Sequence, residues 1–568
     1  MMKILKFTLG ICLAVLIAIA PFSQFQSSPV ESLQNLVVQL DGRKKPLDTV
    51  ARETVAKIHG KTSYETLAGE KLDYLQTYLS LWFNNRDWNQ EPFILFSYRP
   101  LKEKIGLKLE QKYFTFQEII NSDLASVIRQ AREKQADNID LTRDEREALT
   151  VEDRLALMIE TVEQDYLPIV PHPMDIKGKW LGITEAAQYY SDAEIAPVIQ
   201  DYKNLKETYQ FNPHDLEQLG IVAQNLGEKL QNLSPSVYPD RSLVRKEVSF
   251  YKLHLFGKAW QLYAIAFALI LMTVGFNLNL YEIALGFCSS GLMIQSYGFW
   301  SRMQIAGRPP VTNMYESVIW VGFGIAALAL FFEITSQAKY YLLAAAPLAV
   351  ACLLLADNLP AVLDPSIQPL VPVLRDNFWL SVHVPTITLS YASFALAMGL
   401  GHLILGYYVF NPQSPKIPSL SKLNYRVLQA GVLLLTTGII LGGIWAHFSW
   451  GRFWGWDPKE TWALIALISY LVPLHGRLVG WLKDFGITVA SVVCFNTVLM
   501  AWYGVNFVLG TGLHSYGFST GGSELIVASF VGLDLLFVLA ATIRTKGWLT
   551  VASDTQVVVT TSISQQDV

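Results

Sequence analysis

The sequence predicts an all-α protein, a polytopic helical membrane domain of about ten transmembrane helices with a mostly α-helical soluble domain near its N-terminus. Three observations predict it. Of the 568 residues, 51% are hydrophobic and only 16% charged, with a mean hydropathy of +0.29, too apolar for an ordinary soluble enzyme. Beyond Lys258, apolar segments follow one another closely, each about 17–25 residues long, enough to cross a bilayer as a helix. Between about Gln24 and Phe256, by contrast, charged and amide residues dominate, and apolar positions recur at helical spacing.

Each element follows in order. Lys3 and Lys6 precede an apolar run from Phe7 to Phe22. Ala18-Ile19-Ala20 resembles a signal-peptidase site, but Pro21 at the next position disfavours cleavage, so residues 1–23 are expected to stay as a membrane anchor. Residues 24–256 read as an extracytoplasmic domain, with helical patterning at Val50–Ile58, Leu124–Lys134, Val151–Tyr166, Ala193–Tyr209 and Leu216–Leu230. Few runs alternate with period two, and the length is ample for a separate core. Residues 257–545 form the membrane domain, with spans near 259–277, 281–299, 316–334, 339–356, 384–409, 427–447, 460–481, 486–508 and 523–543. Residues 546–568 are left as a cytoplasmic tail.

Basic residues set the expected orientation. Lys416, Lys422 and Arg426 fall between two spans, Arg477 and Lys483 between two others, and Arg544 and Lys546 after the last. Alternating crossings put all of them on the side of Lys3 and Lys6, the cytoplasm. The soluble domain then faces outward. Arg302 and Arg308 break the rule, which suggests a functional reason for them. A net charge of −4 and the lack of a basic run give no reason to expect nucleic acid.

The most informative segment is Trp445–Trp462, with five tryptophans between two spans. An ordinary aromatic belt is scattered over many helix ends. Here Trp450, Trp454 and Trp456 share a short loop with Gly451, Gly455 and Arg452, which suggests a platform for a large planar ligand. Asp457-Pro-Lys-Glu460 reads as a capping box that starts the next helix and fixes the loop.

Nine histidines are present, and their depth matters more than their number. His383 opens one span and His514 closes another, both on the outer side with the tryptophan loop. Singly, each reads as an interfacial side chain with a polar tip. Together, beside the loop, they fit axial ligation of a haem iron, with arginines pairing the propionates. His402 and His475 lie roughly 27–29 Å below the outer surface at 1.5 Å per residue, so an inner pair is possible; the plain alternative is two unrelated polar residues at a membrane boundary. His447 is a competing ligand. His59, His172, His214 and His254 carry no ligand spacing. The four cysteines, Cys12, Cys288, Cys352 and Cys494, lie in apolar stretches and form no C-x-x-C, which argues against a disulfide, a thiol redox centre or haem attached to this chain.

Trp450-Gly-Arg-Phe-Trp-Gly-Trp-Asp-Pro-Lys-Glu-Thr-Trp-Ala-Leu-Ile465 resembles the tryptophan-rich "WWD" signature of haem-handling proteins in cytochrome c maturation, and the Pro-Lys-Glu-Thr-Trp continuation resembles the CcsA (ResC) branch. Gly307–Ser317, Tyr470–Arg477 and Gly504–Gly517 match in the same order, so the resemblance covers roughly 259–520. It implies a System II cytochrome c synthase subunit, part of a haem lyase, in a bacterial plasma or thylakoid-type membrane. In such a protein haem b, held transiently by two outer histidines matching His383 and His514, is offered to the Cys-x-x-Cys-His of apocytochrome c. His475 matches the family's inner histidine. Arg452, Arg375 and Arg308 are candidate propionate or loop-fixing partners. The expected partners are apocytochrome c, thiol-reducing proteins and a CcsB (ResB)-like membrane protein, which supplies the second inner histidine unless His402 does. No CcsB region is recognisable here. Two other classes stay open: a bis-histidine haem protein for electron transfer, and a transporter of a non-haem ligand.

Overall fold

The computed structural model describes residues 2–19, 30–137, 139–163, 167–173, 175, 178–359, 362–370, 372–509, 512–514 and 524–563. The apolar helices, labelled in chain order, are α1 (Met2–Ile19), α2 (Leu255–Gly275), α3 (Tyr281–Ala306), α4 (Met314–Ser336) and α5 (Tyr340–Asn358). They continue as α6 (Asn377–Phe410), α7 (Lys416–Trp450), α8 (Pro458–Leu478), α9 (Asp484–Leu509) and α10 (Glu524–Ile563). Among the described residues, eight helices are long and apolar enough to cross a membrane: α2 with the helix leading into it, and α4 to α10. The sequence reading also counts α1 and α3. The first, with 18 residues, is within the length that crosses a bilayer and carries Lys3 and Lys6 in its first two turns; the second is interrupted by Ser290, Gln295, Ser301 and Arg302, all buried inside the protein.

Local chemistry sets the helix ends. α3 stops at Gly307 in the left-handed conformation (φ +66°), and α4 starts where the Asn313 side chain accepts the Glu316 N–H at 2.8 Å. Glu316, itself buried, accepts from Arg302 Nε at 2.7 Å and from the Thr312 N–H at 2.6 Å. Arg302 also donates to the carbonyls of Pro365 and Ser366. The basic residue that breaks the charge rule therefore ties α3 and α4 to the 362–370 loop. α1 lies directly on α3: a Cβ at Gly10 would sit 2.6 Å from the Ile283 carbonyl oxygen, and one at Gly286 2.7 Å from that of Phe7. Only glycines allow this approach.

The soluble domain is largely helical, with helices Leu47–His59, Leu124–Ala136, Arg143–Val162, Asp192–Phe211 and Leu216–Leu233 at the patterned positions. Three short antiparallel ladders, Val37–Leu40 with Arg43–Pro46, Ser63–Glu65 with Lys71–Asp73, and Ile94–Leu95 with Tyr113–Phe114, add to it. One core holds Leu33, Val55, Tyr78, Trp82, Phe93, Leu155, Leu205 and Leu226. The domain touches the membrane helices at separate places. Arg143 pairs with Glu524 of α10 at 3.4 Å, and Lys246 donates to Gln304 of α3 at 3.4 Å. His254 (φ 49°) joins the last soluble helix, Arg241–Leu253, to α2.

Candidate functional site

α6 carries His383 almost two turns from its start, where the Asp376 side chain accepts the N–H groups of Phe378 and Trp379. His383 is thus inside the helix rather than at its first residue. α7 meets it with a glycine face. The His383 Nδ1–H donates to the Gly438 carbonyl at 2.9 Å, and a Cβ at Gly442 would fall 2.6 Å from His383 Cε1. Trp445 stands edge-on to the imidazole, with centroids 5.7 Å apart.

The tryptophan segment is less of a loop than the sequence suggests. Trp445, His447 and Trp450 belong to the last turns of α7 and Trp462 to α8, leaving residues 451–457 outside helix. Gly451 ends α7 in the left-handed conformation (φ 71°). The capping box of α8 is present: the Asp457 side chain accepts the Lys459 N–H at 3.0 Å, and Glu460 Oε2 accepts the N–H groups of Asp457 at 3.2 Å and Gly455 at 2.7 Å.

Asp457 does more than cap. Its Oδ1 accepts from His514 Nδ1–H at 2.9 Å and its Oδ2 from the Leu513 N–H at 2.6 Å. Burial pushes the carboxyl up, but His514 and the N–H groups of Lys459 and Leu513 outweigh it and hold it at about 2. Gly512 makes the approach possible, with φ +100° and a Cβ position 2.5 Å from Asp457 Oδ2.

His383 and His514 line one cavity. Trp445, Trp450, Trp454 and Trp502 form much of its wall, and Tyr391 and Lys459 contribute polar groups. Each histidine has its Nδ1 engaged, and no described residue hydrogen-bonds its Nε2. In a neutral imidazole with Nδ1–H, Nε2 carries the free lone pair. Each ring is thus held by a hydrogen bond at one nitrogen and keeps at the other a lone pair able to ligate a metal.

The indoles do not make one flat shelf. Trp450 stands edge-on to His514 at 82° (centroids 5.2 Å), and Trp454 stands at 87° to Trp456. Trp456 is exposed and, unusually for a non-glycine residue, left-handed (φ 58°). Arg452 lies 5.8 Å from the Trp450 ring centroid and 3.8 Å from Glu460, and its buried Nη1 makes no hydrogen bond. His447 stacks on Phe453 at 4.3 Å and does not line the cavity. Arg308 donates to the Gln368 carbonyl and Arg375 to that of Leu370; neither lines the cavity.

The inner histidines are not brought together. His475 is exposed at the end of α8, its Nδ1 on the Leu471 carbonyl at 2.8 Å. His402 has both ring nitrogens occupied, Nδ1 by the Met398 carbonyl at 2.8 Å and Nε2 by Asp534 at 2.5 Å. No ring contact or hydrogen bond joins the two among the described residues. Sequence reasoning missed Tyr391, Lys459 and Trp502 as cavity residues and the Asp457–His514 bond. The signal available was weak: a tryptophan eight residues before Gly510-Thr-Gly-Leu-His514.

Residues 311–514 match the family described as "Cytochrome C assembly protein". Protein NrfI of Wolinella succinogenes is 30% identical over 502 residues, 85% of this chain and 54% of NrfI. That alignment is too long to fit within the membrane domain alone, so the likeness extends into the soluble domain. The cytochrome c biogenesis protein CcsA of Chlamydomonas reinhardtii is 36% identical over 38% of this chain and 63% of its own length. CcsA of Synechococcus sp. (strain RCC307) is 34% identical over 40% of this chain and 82% of its own. The chain thus spans about half the length of NrfI, but most of the length of the Synechococcus protein. A cavity flanked by the tryptophan segment, inside a helical membrane domain that aligns with these proteins, settles the affiliation: the chain belongs to the CcsA family of cytochrome c biogenesis proteins.

Proposed function

We propose that this protein holds haem in the outer cavity, with His383 and His514 as axial ligands, and presents it for attachment to the Cys-x-x-Cys-His of an apocytochrome c. One observation carries the reading. Two imidazoles line the same cavity, each with Nδ1 anchored and Nε2 left to a ligand. The donor set suits haem, which takes two nitrogens and fills its remaining positions with its own ring. The wall of indoles suits a planar apolar ring, and Lys459 in the wall and Arg452 beside it supply cations for propionates.

Haem here is cargo. Each thioether forms when one cysteine S–H adds across one vinyl double bond: the sulfur bonds to one vinyl carbon, the hydrogen goes to the other, and nothing leaves. Such a step needs the thiols and vinyl carbons held close more than it needs an acid or base. The anchored imidazoles hold the iron until the incoming histidine replaces one of them. The distribution of basic residues between spans supports an outer-face location for the tryptophan segment and soluble domain. His475, exposed on the inner half of α8, takes its partner ligand from a CcsB-like chain, because both nitrogens of His402 are already used.

The test is the absorption spectrum of the purified full chain. Wild type is expected to give a six-coordinate bis-imidazole haem spectrum that His383→Ala and His514→Ala each abolish and added imidazole restores. A double variant with an unchanged spectrum overturns the ligand assignment. Transfer of the haem to an apocytochrome separates a synthase from a permanent electron carrier.

A further inference from the structure

The outer cavity has walls besides the tryptophan segment. Val311, Thr312, Asn313, Met314 and Ser317 line it around the start of α4, and Leu374 and Leu380 line it where the chain enters α6. These stretches lie well apart in sequence. One buried ion pair, Arg302–Glu316, stands behind both.

Glu316 belongs to the first turn of α4, where the helix dipole favours a negative charge. Its Oε2 accepts the Thr312 N–H at 2.6 Å and the Thr312 hydroxyl at 2.7 Å. Its own N–H donates to the Asn313 side chain at 2.8 Å. The residue therefore grips the lining turn from behind. Its Oε1 accepts from Arg302 Nε at 2.7 Å. Arg302 Nη1 and Nη2 donate in turn to the carbonyls of Pro365 and Ser366, at 2.9 and 3.3 Å. Asn313 Nδ2 reaches the Asp364 and Ser366 carbonyls at 3.4 Å, which ties the lining turn to the same loop directly. Leu370, at the end of that loop, packs on Val311, Leu374 and Leu380. Both walls are thus connected through described residues alone.

Neither Arg302 nor Glu316 lines the cavity, and their side chains are 0% and 1% exposed. A buried ion pair is weak support for a fold. Taking two charges out of water offsets much of their attraction, and an apolar pair of similar volume is often as stable or more so. Placement is what an apolar pair would not supply. The planar guanidinium fixes the directions of one carboxylate and two carbonyls at once. That sets the spacing between the α4 turn and the 362–370 loop.

We propose that Arg302 and Glu316 are positioning residues for the outer cavity: they hold the Thr312–Met314 turn and the 362–370 loop in register, and so fix the wall against which haem rests. This rests on the reading of His383 and His514 as haem ligands. The test uses the full-length protein, titrated with hemin and followed by absorption, with release measured by transfer to apomyoglobin. Arg302→Met/Glu316→Leu strands no charge and is expected to keep the wild-type melting midpoint. It should bind hemin about tenfold more weakly, within the range reached by changes that touch no ligand, while the bound haem keeps its six-coordinate spectrum. Arg302→Lys leaves Glu316 a charged partner but lacks the fork, and is expected to bind about threefold more weakly. Lost affinity and faster release, without lost stability or ligation, separate positioning from a purely structural role. If the double variant fails to fold, Arg302→Lys decides alone. Wild-type affinity and release in whichever variants fold, with His383→Ala still abolishing binding, would overturn the positioning role. If His383→Ala binds as wild type does, the ligand reading itself has failed, and the inference falls with it.

Discussion

Asp457 is the residue on which the outer site turns. It caps α8 through the Lys459 N–H, and it holds His514 through Nδ1. An asparagine could keep the cap but would offer a neutral oxygen to the imidazole. Asp457→Asn is therefore expected to lower haem affinity by about tenfold and leave the helical content unchanged, as read by hemin titration beside circular dichroism; wild-type affinity would remove Asp457 from the site. The pH dependence has a definite sign. Its folded pKa lies below its ordinary value, so the hold on His514 is fully present above about 3.9. It is lost as pH falls towards about 2. Asp457 was legible in the sequence as a cap, because Asp-Pro-Lys-Glu is a local pattern. Its bond to His514 was not: the partners lie 57 residues apart, and no short-range rule joins them.

At the scale of elements, the turn at 512–514 works because one residue has no side chain. Gly512 has φ +100° and its absent Cβ would strike Asp457 Oδ2. Gly512→Ala is expected to cost about fivefold or more in haem affinity through this strain, while the melting temperature, set by the buried bundle, barely moves. An unaltered affinity would mean that the turn adapts. The long helices were legible because apolar length alone announces them. The soluble ladders were not, since strands of two to four residues are too short to show alternation. Nor does sequence periodicity separate the π-helical stretch Met500–Leu509 from ordinary helix. The tryptophan segment misled in another way. Glycine and tryptophan suggest a loop, yet α7 runs on to Trp450, because its last turns pack against α6 around His383.

The whole molecule is a helical bundle with a soluble domain joined to it at several places, among them Arg143–Glu524 and the Arg241–Leu253 helix leading into α2. The basic residues between spans predict an orientation in the membrane, and it is open to direct measurement. In a cysteine-free background, a membrane-impermeant maleimide applied to intact cells should label Lys203→Cys in the soluble domain. It should leave Lys422→Cys on α7 unlabelled until the cells are lysed. The opposite pattern would invert the orientation and put the proposed haem cavity on the cytoplasmic side. How the tryptophan segment, α6 and the end of α9 converge on one cavity belongs to this scale too. Residues from 311 to 514 contribute to it, and composition says only that such helices exist, not which of their faces meet.

The π-helical stretch Met500–Leu509 carries a consequence for chain length. Its hydrogen bonds close one residue further along the chain than those of the ordinary spiral, and it lies upstream of the Gly512–His514 turn. Removing a single residue from the ordinary helix before it, with the winding of this stretch unchanged, would swing everything downstream by roughly 100°, carrying the imidazole off its carboxylate. The number of residues between Asp484 and His514 is therefore as much a specification of this protein as the identity of any one of them.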